Sequence, residues 1–249
     1  HWDLLNYWYK YTYLLDNIFQ SPVETIKTVI YSIREDNYNY FSAVLLMPFG
    51  LIFGTSRMAY ILAIVNVFAF PATLTFLFLH RKLSEMQGLS SKFLPLICVG
   101  MIFLSPNFWH PLLYGYLDVG GIILVNIILL LYLKKPYVQQ SVRDLFMIAL
   151  LITVLALFRR WYTIWGVAFY ATLAIEAVAS RFFVKGFDKK KMIKMLFLIG
   201  AQGIVSGIVF FTAAPTFARR ILSTNYVDLN SAYKASANLL ESFFMVFGY

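Results

Sequence analysis

The sequence predicts an all-α fold: a polytopic bundle of transmembrane helices, with amphipathic juxtamembrane helices in its first outer loop. Three observations predict it. Hydrophobic residues make up 60% of the chain and charged ones only 13%, against about 25% charged in a typical soluble domain. The apolar residues come in long blocks separated by short charged connectors, the patterning of spans rather than of a single core. The basic residues alternate between connectors, as cytoplasmic retention of Lys and Arg requires. The net charge of +9 thus has its explanation in membrane orientation. No basic stripe with interleaved aromatics falls on a soluble helix, which argues against nucleic acid as a partner. Cys98, the single cysteine, lies inside an apolar block, so the sequence holds no disulfide framework and no thiolate cluster.

Residues 1–40 read as an extracytoplasmic loop with two helices lying on the membrane. Leu4, Trp8, Tyr11, Leu15 and Ile18 share one face of the first. The second opens with Ser21-Pro22-Val23-Glu24, a capping box joined to a proline at the first helical position, and puts Ile26, Val29, Ile30 and Ile33 on one side. Interfacial helices have this pattern, and so do surface helices packed on the protein's own core. The block 41–54 is short and carries Pro48, Gly50 and Gly54, so it reads as a partly embedded helix. Six blocks then follow as crossings, at 57–79, 93–108, 118–133, 144–158, 161–180 and 192–214. Several fall short of the ~20 residues a perpendicular span needs and must recruit flanking Trp, Tyr, Lys and Arg.

The connectors set the orientation. One set carries Arg81, Lys82 and Lys92, then Lys134, Lys135 and Arg143, then the basic run from Arg181 to Lys194, and faces the cytoplasm. The opposite set, 107–117, Arg159-Arg160 and the segment after 214, faces outward. Residues 41–214 therefore form the transmembrane region, and 215–249 begin a large outer loop. The chain starts at His1 and stops inside the apolar run SFFMVFGY, so we expect a longer polypeptide with a transmembrane helix ahead of His1.

This organisation, carried by the strings HWDLLNYWYKY, SIREDNYNYFSAVLLMPFGLIFGTSR, HPLLYGYLDVGG, FRRWY and NYVDLNSAYK, resembles the GT-C membrane glycosyltransferases that use polyprenyl-phosphate sugars, near the protein mannosyltransferase and aminoarabinose transferase branch. None of these strings is a fixed catalytic signature. The resemblance implies transfer of a sugar from a lipid phosphate carrier, undecaprenyl or dolichyl, to an acceptor on the outer side, with inversion at the anomeric carbon. The implied partners are the polyprenyl-phosphate-linked sugar and the bilayer. The acceptor, whether protein, lipid or glycan, stays open.

Candidate residues follow. Asp3, near the start of the first helix, stands where the dipole favours an ionised carboxylate, and an inverting transfer needs a base that takes the acceptor's proton. The resemblance implies an acidic residue in this loop, while the plain alternative is an ordinary first-turn residue. Arg34, Glu35 and Asp36 form a charged triplet followed by Asn37, Tyr38 and Asn39, a cluster suited to sugar hydroxyls or phosphate but equally to a solvated loop. Asp118 has no basic neighbour in its connector, so it either caps the helix that follows or serves a site. His110 reads as an interfacial residue beside Trp109, with a part in substrate binding as the alternative. Arg159 and Arg160 break the charge bias on the outer side. One of them suits a lipid-linked phosphate through its planar fork, and both suit interfacial anchoring. Arg219 and Arg220 are second candidates. No cofactor is implied. The histidines His1, His80 and His110 lack metal-ligand spacing, and a divalent cation held by Asp3 and Asp118 remains open. A transporter or a non-catalytic scaffold is the competing class, which ionisable residues at mid-membrane depth would favour.

Overall fold

The structure, a computed structural model, describes residues 2–36, 38–89, 93–159, 161–184 and 186–216. Among these residues it is helical and has no strand. The elements in chain order are α1 (Trp2–Asn17), α2 (Pro22–Glu35), α3 (Phe41–Phe53), α4 (Arg57–Ile64), a π-helical turn (Val65–Ala69), α5 (Phe70–Met86), α6 (Leu94–Leu104), α7 (Pro106–Tyr114), α8 (Val119–Tyr132), α9 (Val142–Phe158), α10 (Trp161–Phe183) and α11 (Lys189–Ala213).

Local chemistry sets the boundaries. Ser56, Ser141 and Asp188 cap α4, α9 and α11, their side chains accepting from Ala59, Asp144 and Lys191 N–H groups. Pro71 has no N–H to give to the preceding turn, and a π-helical turn stands just before it. α4, the π turn and α5 run on as one helix of 30 residues, Arg57–Met86. Pro22 occupies the first turn of α2 as the sequence predicts, but the capping box does not form. The Ser21 N–H is taken by the Asn17 carbonyl at 2.9 Å, the Ser21 side chain makes no cap bond, and Glu24 pairs instead with Lys27 at 2.7 Å.

Among the described residues three helices are long and apolar enough to cross a membrane: Arg57–Met86, Tyr162–Phe183 and Lys189–Ala213. A fourth arises if Leu94–Leu104 and Phe108–Tyr114, bent by 54°, count as one span. Of the six expected crossings, length and composition single out three, or four with the bent pair. α8 has 14 residues and α9 has 17, so at 1.5 Å per residue α9 is about 25 Å long, short of a ~30 Å hydrocarbon layer. Asp118 and Arg159 flank these helices at one end each, and the helix bounds follow the short apolar blocks 118–133 and 144–158. α3, at 13 residues with Pro48 inside, is also shorter than a span.

α8 packs on α5 and α9, α11 on α9 and α10, and α1 on α3. One core gathers Tyr7 and Tyr11 of α1, Leu46 of α3, Tyr60 and Phe68 of the long helix, and Phe158 of α9. A second gathers Ile128, Ile148, Leu155, Leu173 and Ile199 across α8 to α11. Two buried amides are paired across helices: the Asn126 amide donates to the Ala72 carbonyl at 3.3 Å and to Thr75 Oγ1 at 3.1 Å, and the Gln202 amide to the Leu145 carbonyl at 2.6 Å.

α1 differs from its expected role. Tyr7, Lys10, Tyr11 and Leu14 are buried, and a Cβ built on Gly50 of α3 would come within 2.5 Å of Leu15 and 2.6 Å of the Tyr11 hydroxyl. α1 is thus packed on the protein's own core rather than laid on lipid, with Gly50 admitting the close approach. Residues 217–249, where the large outer loop was expected to develop, lie outside the described residues.

Candidate functional site

The site is built where α8 begins and α9 ends. Arg159 follows the last turn of α9 in extended backbone, φ −159° and ψ 141°, which carries its side chain out of the helix and across to Asp118. The guanidinium Nη1 donates to Asp118 Oδ2 at 2.6 Å, with the two side chains 16% and 35% exposed. Asp118 occupies the N-cap position of α8, yet its carboxylate makes no cap bond. Of the two sequence readings, cap or site residue, the cap bond is not made, and the pairing with Arg159 is one that neither reading contained. The partner is 41 residues away, which is why the connector itself showed none.

Two glycines bring these ends together. A Cβ at Gly121 would meet the Tyr162 ring at 2.2 Å, and one at Gly120 would meet Phe158 at 2.5 Å and Phe68 at 2.9 Å. The pair Gly120-Gly121 therefore lets the α8 N-terminus press against the α9–α10 corner. Tyr162, in the first turn of α10, donates its hydroxyl to the Asp118 carbonyl at 2.7 Å and holds the backbone of the carboxylate in place.

Around the guanidinium stand three tyrosines. The rings of Tyr7, Tyr38 and Tyr116 lie 6.0, 5.8 and 5.8 Å from Arg159 Cζ, within cation–π range. Tyr7 and Tyr38 meet edge to face at 6.0 Å. Burial pushes the Tyr7 hydroxyl up to about 12 against the opposing pull of the Arg159 charge. Tyr38 is brought here by its neighbour Asn39, whose amide donates to the Leu157 carbonyl at 3.0 Å and ties the loop to the end of α9. The sequence reading contained Asp118, Arg159 and Tyr38 but missed Tyr7, Tyr116 and Tyr162. Tyrosines beside Gly-Gly and Arg in HPLLYGYLDVGG and FRRWY were the available signal.

The remaining candidates are spread around this centre. Asp36 accepts from the Ser32 hydroxyl at 2.8 Å and lies 3.9 Å from Lys10 Nζ, which sits 4.5 Å over the Tyr40 ring. Burial lowers the Lys10 pKa, with Asp36 opposing. Glu35 accepts from the Thr216 hydroxyl. Arg34 points outward, exposed on α2. The His110 ring lies 4.4 Å from the Tyr114 ring within α7, tilted by 40° to it. Asp3 stands in the first turn of α1, one helical turn before Tyr7 and on the same face by its i, i+4 spacing. Its side chain lies outside the described residues, as do Arg160, Arg219 and Arg220. Among the described residues no three His, Cys, Asp or Glu side chains cluster as metal ligands.

Beside the α9–α10 corner, α9, α10 and α11 enclose a cavity of ≈550 Å³ lined by residues such as Ala156, Thr163, Val167, Gly203, Gly207 and Phe210. Among the described residues the chain is all-helical, with at least three helices long and apolar enough to cross a membrane and a guanidinium–carboxylate pair in a tyrosine collar. Comparison with family models, with curated proteins and with solved structures gives no match.

Proposed function

We propose that this chain is the membrane part of a GT-C-like glycosyltransferase that takes a sugar from a polyprenyl-phosphate donor on the extracytoplasmic side. The observation that carries the reading is Arg159, a guanidinium fixed by Asp118 within a collar of aromatic rings, beside an apolar cavity between membrane-length helices. Planar Arg matches phosphate oxygens through paired donors. Tyrosine faces suit sugar rings, and an apolar cavity of this size, inside the ~300–1,000 Å³ range of ligand pockets, suits part of an isoprenoid chain.

In the transfer, the acceptor oxygen forms a bond to the anomeric carbon as the bond from that carbon to the phosphate oxygen breaks. The acceptor's proton passes to a base, and polyprenyl phosphate leaves with the extra negative charge. Arg159 stabilises that charge, Asp118 positions Arg159, and Asp3, one turn before Tyr7, takes the proton. Glu35 and Asp36 are the alternative bases, and Asp118 is disfavoured because its carboxylate is committed to Arg159.

The test is in vitro transfer by full-length protein from a lipid-phosphate sugar, with donor binding measured separately. Arg159→Lys keeps the charge and loses the fork, so donor affinity falls more than the chemical step. Asp3→Asn lowers turnover by roughly 10²–10⁴-fold, the span of general acid–base catalysis, and leaves donor binding intact. Wild-type turnover in Asp3→Asn moves the base to Glu35 or Asp36. No binding of any polyprenyl-phosphate sugar by the active-site-intact protein ends the proposal.

A transporter is the second reading, favoured by Glu176. It lies within the long apolar helix Tyr162–Phe183 and accepts from the Tyr132 hydroxyl, and carboxylates inside membrane helices commonly mark ion or proton paths.

A further inference from the structure

One face of α11 is used neither by the site nor by the two cores. Met195, Ile199, Gln202, Ser206 and Phe210 form the buried side of this helix. On the opposite side Lys190, Ile193, Lys194 and Phe197 recur at i, i+3, i+4 and i+7, all exposed, and so share one face. Gly200, Ala201, Ile204 and Ile208 continue that face along the helix and are exposed as well. Phe197 and Ile204 stand out at 73% and 64% exposure. Between them Gly200 and Ala201 leave a shallow groove, and a Cβ built on Gly200 would meet nothing within 4 Å.

The two lysines stand at the first turns of α11, at the end of a helix long and apolar enough to cross a membrane. The turn that leads into them is held in place. The Asp188 carboxylate accepts from the Lys191 N–H at 2.8 Å, Lys191 Nζ donates to the Gly186 carbonyl at 2.6 Å, and Phe187 packs on the second core. Residues 181–194 carry six basic residues against one acid, Asp188, and that acid is committed to the cap. Among the described residues no carboxylate pairs with Lys190 or Lys194, whereas Arg81 and Lys134 in the other basic connectors pair with Glu85 and Asp144. Membrane orientation accounts for basic residues in this connector, but it counts charge and does not choose the helix face on which the charge stands.

We propose that this face of α11 is a binding site for one anionic phospholipid, its phosphate held by Lys190 and Lys194 and one acyl chain laid along the groove from Phe197 to Ile208. From Lys194 to Ile208 the helix runs about 21 Å, enough for the ~15 Å of hydrocarbon in one leaflet, half of a ~30 Å layer. Basic residues clustered at the end of a membrane helix attract anionic headgroups. Ile193 and Phe197 stand between and beyond the lysines, where an aqueous polyanion would leave them in water and an acyl chain covers them. The proposal needs the chain to sit in a membrane. It is independent of the transfer reaction and of which end of α11 faces the cytoplasm.

The experiment uses the full-length chain with Cys98→Ala and a bimane fluorophore on Gly200→Cys, where open space surrounds the backbone, in phosphatidylcholine vesicles. Rising fractions of phosphatidylglycerol or phosphatidylcholine with a nitroxide on the acyl chain quench the dye, and the two curves give the relative affinity of that position for each lipid. Phosphatidylglycerol should be favoured by roughly fivefold per lysine, the worth of one basic residue near an anionic surface. Lys190→Gln with Lys194→Gln should remove the preference, and Lys190→Arg with Lys194→Arg should keep it. Lys135→Gln with Arg143→Gln, which removes exposed cations from the α8–α9 connector, should leave it unchanged. Equal quenching by the two lipids overturns the proposal, as does a preference that survives loss of Lys190 and Lys194. A preference lost equally in the Lys135 and Arg143 variant also overturns it, because net charge rather than a site then selects the lipid. Failure of both lipids to quench overturns it too, because protein then covers the face.

Discussion

Removing either partner of the Asp118–Arg159 pair tests whether this contact organises the site. At about 4 Å between charge centres and an effective dielectric of about 20, the bare attraction is about 4 kcal/mol. Desolvation and residual water reduce it. The carboxylate side chain is 35% exposed and the guanidinium 16%, so the pair is partly wet, and charged hydrogen bonds in proteins return about 1.5–3 kcal/mol net. We expect Asp118→Asn and Arg159→Gln each to destabilise the protein and to show a coupling of about 2 kcal/mol in the double variant. The assay is reversible unfolding of full-length protein in mixed micelles of denaturing and mild detergent, with wild type, both single variants and the double variant measured together. Additivity within about 0.5 kcal/mol would refute the reasoning. Arg159 would then be held by Tyr7, Tyr38 and Tyr116 rather than by Asp118, and Arg159→Gln alone would be costly.

Three further outcomes follow from the packing, the titrating groups and the topology. Gly121→Ala places a methyl 2.2 Å from the Tyr162 ring, so it should cost about 1–3 kcal/mol of stability as overpacking and weaken donor binding by displacing Tyr162 from the Asp118 carbonyl, whereas Gly100→Ala, with open space around it, should be tolerated in the same unfolding and binding assays. Lys10 has a pKa lowered from 10.5 and Tyr7 one raised from 10.0 to about 12; the unfolded chain binds more protons at Lys10 below pH 10.5 and fewer at Tyr7 above pH 10, so stability should rise with pH as Lys10 discharges and fall beyond pH 10. Lys10→Met should flatten the rise and leave the fall in a pH series of unfolding midpoints. Cysteines at Gln87 and Gln139 should be shielded from an impermeant thiol reagent in intact cells while one at Asn225 reacts, because the connectors at 81–92 and 134–143 carry the basic residues; labelling at Gln139 would reverse the orientation.

Much of the architecture was legible along the chain. Apolar blocks marked the helices, Pro22 marked the start of α2, and Asp118 and Arg159 stood out as charges at the ends of apolar runs. One reading changed with the packing. The periodicity of α1 is the same whether its apolar face meets lipid or protein, since both are apolar, and only the close approach at Gly50 of α3 assigns it to protein.

The sequence by itself determined that the chain is helical, apolar enough for a membrane, and provided with acidic and basic residues at the ends of its helices. Its signals reach one or two turns, because side chains at i and i+4 are the neighbours a helix creates. Only the tertiary structure decided that Arg159 meets Asp118 and that Tyr7, Tyr38 and Tyr116 surround it. That meeting depends on Gly120 and Gly121 letting α8 press against Phe68, Phe158 and Tyr162, a close-packing relation between distant segments that no local pattern encodes.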